Sequence, residues 1–171
     1  FRESQADDSV RAYLRAPPYY VNSHTHLDHC SFSIFYRKGL AIDSGLYDNY
    51  DGSHWRGYYS RTIAHNAILV NDPSEQFIRY GDVEVADGGQ KWPILNTDVP
   101  SNAPKVIEDL VDHDYFRLGG VAAYNDTSLY SYAVADGKRA YSSTKMAAFF
   151  RHFLWIKSLS GWTKPVIVIF D

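Results

Sequence analysis

Residues 24–45 read His24-Thr25-His26-Leu27-Asp28-His29-Cys30-Ser31-Phe32-Ser33-Ile34-Phe35-Tyr36-Arg37-Lys38-Gly39-Leu40-Ala41-Ile42-Asp43-Ser44-Gly45. The first six residues form the string H-x-H-x-D-H, dense in metal ligands and proton carriers. The residues after that string decide the fold. Phe32, Ile34 and Tyr36 alternate with Ser31, Ser33, Phe35 and Arg37, a pattern mostly of period two and rich in aromatics. Gly39 then punctuates, and Leu40-Ala41-Ile42-Asp43 continues as a second short strand. The string is therefore predicted to open a β-hairpin, not a helix.

Outward from the hairpin the chain is mostly strand. Strands are predicted at 19–23, 31–37, 40–43, 66–70, 76–85, 105–111, 115–123, 128–134, 146–157 and 165–170. Turn signals separate them at Asp51-Gly52, Asp72-Pro73, Asp87-Gly88-Gly89, Asn125-Asp126 and Asp136-Gly137. Within 144–158 the run Met146-Ala147-Ala148-Phe149-Phe150 also suits a helix. Many short strands with frequent turns imply an all-β, antiparallel sandwich. No internal repeat, low-complexity tract or charge block interrupts the pattern.

At 171 residues, residues 1–171 are expected to form one domain. Hydrophobic residues make up 45% of the chain, enough for a core, and aromatics reach 16% with 14 Tyr and 4 Trp. Such rings pack in strands and also line carbohydrate grooves. A net charge of −3 and an isoelectric point near 6.2 give no basic footprint for nucleic acid. An anionic ligand would have to be held by a local cluster. The single Cys30 excludes a disulfide framework and a cysteine-based zinc site. No stretch approaches 18 uninterrupted apolar residues, so no membrane-spanning segment is expected. The chain starts at Phe1 and ends in the apolar run Pro165-Val166-Ile167-Val168-Ile169-Phe170, which suggests a segment of a longer polypeptide.

His26, Asp43 and His65, separated by 17 and 22 residues, offer two imidazoles and one carboxylate. Zinc accepts such donors, and three protein ligands leave a fourth position open. Those spacings exceed one local loop and suit neighbouring strands.

Several ordered motifs together resemble one family. Ser23-His24-Thr25-His26-Leu27-Asp28, Gly39-Leu40-Ala41-Ile42-Asp43-Ser44-Gly45 and Arg61-Thr62-Ile63-Ala64-His65-Asn66 resemble, in order and spacing, the β-sandwich of heparinase II/III-like polysaccharide lyases. Asp72-Pro73-Ser74-Glu75 and Asp87-Gly88-Gly89-Gln90-Lys91-Trp92 fit the same pattern, so residues 20–92 carry the resemblance well. It continues more loosely through Arg151-His152-Phe153-Leu154-Trp155 to Asp171.

The resemblance implies β-elimination on a uronic-acid-containing polysaccharide, heparin- or heparan-sulfate-like or alginate-like. It implies a zinc ion (Zn2+) on His26, Asp43 and His65 that organises the site, and His24 as base or carboxylate neutraliser. On a regular strand His24 and His26 would share a face. A catalytic tyrosine is expected at Tyr50, with Tyr47 and Arg61 as substrate-binding residues; Tyr58 and Tyr59 stand nearby. Asp28 is either an orienting partner for an imidazole or a turn-capping residue, and His29 a surface or packing residue.

The partners implied are the anionic polysaccharide, an N-terminal α/α toroid of the same protein that supplies further catalytic groups, and a second copy in a homodimer. The segment alone is then expected to bind zinc without turning over polymer. Substrate size implies a secreted or periplasmic bacterial setting. Two other readings use the same residues. A metallo-β-lactamase-like zinc hydrolase would need His29 as a ligand and a helix after it. A noncatalytic carbohydrate-binding sandwich would need no metal.

Overall fold

A computed structural model describes residues 1–6, 8–21, 24–45, 49, 52–79, 82–85, 87–91, 104 and 106–171. Among them lie nine strands: β1 (Val10–Leu14), β2 (Phe32–Tyr36), β3 (Lys38–Ala41), β4 (Gln76–Arg79), β5 (Asp82–Val85), β6 (Gly120–Asp126), β7 (Tyr130–Asp136), β8 (Phe150–Ile156) and β9 (Val166–Phe170). One short helix, α1 (Ile107–Asp112), precedes β6. The strands form three antiparallel sheets, ordered β1-β2-β3, β4-β5 and β6-β7-β8-β9.

Two of these sheets pack face to face. Val10 and Ala12 of β1 are buried against Phe153 and Trp155 of β8, with Phe32 and Ile34 of β2 and Ile167 and Ile169 of β9 around them. Alternation places these side chains on one face of each sheet. A second cluster, Tyr20, Leu27, Cys30, Leu118, Ala135, Tyr141, Met146 and Phe149, fills the core beneath the loop that carries the histidines. Burial there pushes the Cys30 thiol up to about 12, so it packs as a small apolar group. The architecture is the expected all-β antiparallel sandwich. Among the described residues no helix is long and apolar enough to cross a membrane.

The hairpin after the histidine string forms as read, but its turn falls two residues early. Arg37, not Gly39, makes the reversal, with φ of 61°, and Gly39 lies inside β3. A Cβ at Gly39 would stand 2.8 Å from Ile42 Cγ2, so a larger residue there would displace the exposed Ile42 side chain. Of the run 146–157, Phe150–Ile156 forms strand β8, while 146–149 is neither strand nor helix.

The expected strand 76–85 is two antiparallel strands, β4 and β5, and 115–123 is strand only from Gly120, after a 3-10 turn over Asp114–Phe116. Three further strand expectations fail. Residues 19–23 contribute only a single bridge from Tyr19 to Arg117, with 22 and 23 outside the described residues. Segment 66–70 pairs with no described strand: Asn66 O accepts from Arg151, Ile68 O from the Tyr141 hydroxyl, and Val70 N donates to Gly88 O. Its backbone is satisfied by scattered partners in place of a ladder. In segment 105–111, residue 105 lies outside the described residues and Ile107 opens α1, whose first turn holds Glu108 and Asp109. Carboxylates at a helix N-terminus face the positive end of its dipole, and Asp109 accepts from Val106 N at 3.3 Å.

Candidate active site

Three loops meet where β3 ends. The first carries His24–His29, the second Asp43 and Ser44, the third His65. Backbone ties hold them together. Leu27 N donates to Ser60 O at 2.9 Å and the Thr62 hydroxyl to Leu27 O at 2.8 Å, joining the first loop to the third. Ser44 N donates to Ala64 O at 2.8 Å, and the Asn66 side-chain amide donates to Phe32 O at 3.0 Å, joining the third loop to the hairpin. Trp55, Tyr59 and Ala64 form a small buried cluster beneath, supplied partly by a π-helical turn over Trp55–Tyr59. Such turns are rare and concentrate at functional sites.

The later motifs have a local purpose. Asp87 pairs with Arg61 at 2.8 Å and accepts from Gly89 N. Gln90 N donates to the Thr62 hydroxyl, while the Gln90 amide brackets the His29 backbone, accepting from its N at 3.0 Å and donating to its O at 2.7 Å. Glu75 forms a buried ion pair with Lys145, whose ammonium also donates to Gly89 O at 2.7 Å. These polar groups are buried and paired, so they fix the loops instead of contacting solvent. Desolvation pushes the Asp87 carboxyl up, but the adjacent guanidinium wins and its pKa lies below the ordinary carboxylate value.

The three candidate ligands are neighbours. His65 is buried, its side chain only 1% exposed, and Asp43 Oδ1 lies 2.9 Å from His65 Nδ1. That oxygen is off the ring N–H direction, so neither His65 nitrogen has an aligned hydrogen bond. The contact with His65 still holds the Asp43 carboxyl below its usual range. The His26 ring lies 5.3 Å from the His65 ring, tilted 45° to it, with its edge toward Trp55. Burial first, and then the neighbouring His65, lowers the His26 pKa. Neutral imidazoles and an ionised carboxylate are the protonation states that zinc binds.

In donor type and in the two orphaned nitrogens of His65 the set fits zinc. Among the described residues no group of three or more His, Cys, Asp or Glu side chains stands placed to hold a metal ion, so zinc would require His26, Asp43 and His65 to draw together. The arrangement is an open set of donors, with Asp43 half exposed at its rim.

The structure places the other sequence candidates differently. His24 is exposed and has φ of 58°, and no strand includes 24–28. The shared-face argument for His24 and His26 therefore does not apply, since a left-handed residue breaks the alternation of a strand. Tyr47 and Tyr50 lie outside the described residues. Tyr58 is the tyrosine the described residues bring to the site: its hydroxyl is 2.7 Å from Ser44 Oγ, beside Asp43, and its ring stacks on His54. Arg61 is 2% exposed and committed to Asp87, so a substrate carboxylate would reach it only if it were uncovered.

Asp28 pairs with Arg15 at 2.7 Å. His29 is buried at 1%, with Nε2 2.7 Å from Asp136 O and no hydrogen-bond partner on Nδ1. It packs into the core, and β2 comes after it without a helix, against the arrangement a metallo-β-lactamase-like centre requires.

The family described as "Heparinase II/III-like, C-terminal" matches residues 5–123, well over half of the chain. No curated protein sequence matches it. The chain belongs to the heparinase II/III-like family, a family of polysaccharide lyases.

Proposed function

From that membership we propose that this sandwich forms one wall of a lyase site that cleaves a uronic-acid-containing polysaccharide by β-elimination. The supporting observation is the meeting of His26, Asp43 and His65 at the end of the β2–β3 hairpin, with exposed His24 two residues away. Heparin- or heparan-sulfate-like and alginate-like polymers share the chemistry. The C5 proton beside the uronate carboxylate is removed, its electron pair becomes the C4=C5 double bond, and the C4–O4 bond breaks as O4 takes a proton.

The carboxylate resists a second developing negative charge, so it must be neutralised. His24 has the exposure to face substrate, as base or as carboxylate neutraliser. A phenol suits proton transfer at C5 or O4, and the candidates are Tyr50 and Tyr58, the latter held by Ser44. Tyr47 is proposed to contact sugar. His26, Asp43 and His65 would hold zinc, and a bound zinc would cross-link the three loops and so set the position of His24. The N-terminal α/α toroid of the same protein is proposed to close the opposite wall, and a polymeric substrate places the enzyme outside the cytoplasm, secreted or periplasmic.

The test is product analysis with the toroid-bearing protein on heparin and alginate, following the ultraviolet absorbance of the new double bond. His24→Ala should lower kcat by about 10²–10⁴ while leaving zinc content unchanged. Products that lack the double bond, or full activity in His24→Ala, would overturn the reading.

A further inference from the structure

We propose that the outer face of the β1-β2-β3 sheet is a second binding surface, for a short stretch of anionic polysaccharide, built from Arg11, Arg37 and Lys38 around the rings of Tyr13 and Phe35. Because Val10, Ala12, Phe32 and Ile34 face the core, their alternating neighbours Arg11, Tyr13 and Phe35 project outward. With Ser9, Arg37 and Lys38 they line a groove of about 250 Å³. Its six lining residues include three cations and no carboxylate, in a chain whose net charge is −3. Among the described residues the acid that approaches is Asp8, 3.9 Å from Arg37 with both side chains more than half exposed, too far for a hydrogen bond.

The Arg37 guanidinium lies over the Tyr36 ring, 5.3 Å from its centroid, and two further features bear on how the cations are held. The buried Nε of Arg11 has no hydrogen-bond partner, and its Nη2 makes only a 3.4 Å contact to Ala6 O. Arg37 occupies the hairpin turn at φ of 61°, a conformation that glycine or asparagine adopts more readily. A long cationic side chain therefore stands where the backbone alone favours a smaller residue. Tyr13 is 59% exposed and meets Phe35 edge-on, with centroids 5.9 Å apart, so an aromatic face is presented beside the cations.

Guanidinium and ammonium groups recognise carboxylate or sulfate, and an aromatic face accepts the apolar face of a sugar ring. The groove is smaller than the about 300–1,000 Å³ of small-molecule pockets, which suits a segment of an extended polymer. Its place on the hairpin supplies the functional link. Lys38 and Asp43 are five residues apart, hence separated by at most about 18 Å, so one polymer can reach both. A second attachment raises the effective concentration of polymer at the catalytic centre. The ligand class rests on the lyase reading; the residues and their geometry do not.

The test is titration calorimetry on the 171-residue chain with size-defined heparin oligosaccharides, and with alginate oligosaccharides that carry carboxylates only. Arg37→Asn keeps the left-handed turn, and Lys38→Gln alters an exposed side chain, so neither variant should disturb folding; circular dichroism checks this. Each should weaken binding about five- to tenfold and lower the salt dependence by roughly one counterion, and Tyr13→Ala should weaken it further. Binding of both polymers assigns a carboxylate-reading surface, and of heparin alone a sulfate-reading one. No binding by the wild-type chain, equal affinity in Arg37→Asn with Lys38→Gln, or equally tight single-stranded DNA through the same residues would overturn the inference. Groove-dependent binding without any elimination by the toroid-bearing protein would leave it standing and remove the lyase reading instead.

Discussion

His29 and His65 are both buried imidazoles from the same short region, yet they are used in opposite ways. His65 keeps two nitrogens without aligned hydrogen bonds beside a carboxylate, while His29 spends Nε2 on the Asp136 carbonyl and hides Nδ1 in the core. Sequence separated them by the motif each belongs to, His65 in Arg61–Asn66 and His29 at the end of the histidine string, and the fold shows what is packed against each. Burial lowers the pKa of His29, and of His26 in the candidate site. Below the ordinary value of 6.5 the unfolded chain then binds protons that the folded one does not. Stability of the metal-free chain should fall as pH drops through that value toward the folded pKa, by up to about 1.4 kcal/mol per pH unit for each histidine. The depressed Asp43 carboxyl adds a loss of the same sign only at lower pH, below its unfolded value of 3.8. Urea unfolding from about pH 8 to pH 5 with chelator present checks this, and His29→Gln should flatten the slope. A stability that does not change between about pH 7 and pH 5 would refute the assignment.

Among the elements, the alternation of β2 and the apolar run of β9 were readable, and β1 was not. The β2–β3 hairpin was readable from Phe32-Ser33-Ile34. The helix alternative rested on Met146-Ala147-Ala148-Phe149-Phe150, of which only Phe150 lies in β8, where Phe153 and Trp155 point inward and Phe150, His152 and Leu154 outward. β1 was missed because Val-Arg-Ala-Tyr-Leu carries small and charged residues at the positions where strand signals are sought. The least expected inward residue is Arg151, buried at 4%, which donates to Cys30 O and Asn66 O and pairs with Asp171 through two bonds of 2.7 Å. It ties β8 to the histidine loop and to the segment after His65. Arg151→Met should cost roughly 2–5 kcal/mol, since two buried carbonyls and a carboxylate lose their donor. Denaturant unfolding measures it, and a loss below about 1 kcal/mol would show that those ties are replaceable.

At the scale of the molecule, the sandwich positions a site that no single element contains. His26 comes from a loop over one core cluster, Asp43 from the end of a hairpin, and His65 from a turn fastened to both. The ordered motifs in sequence named these three as candidates, and the structure places Asp43 2.9 Å from His65 and the His26 ring 5.3 Å from the His65 ring. Sequence left open how they are held, and the structure answers with Thr62, Asn66 and Gln90. Gln90, just after a glycine pair, gave no signal of its own; its role comes from bracketing His29 across 61 positions.

The most direct measurement is the metal content of the folded chain by elemental mass spectrometry, for wild type and for Asp43→Ala, His65→Ala and Asp28→Ala. The account predicts about one zinc per chain, lost in Asp43→Ala and His65→Ala and largely kept in Asp28→Ala. Two zinc ions lost with Asp28→Ala and indifferent to Asp43→Ala, or no metal in a demonstrably folded chain, would contradict it.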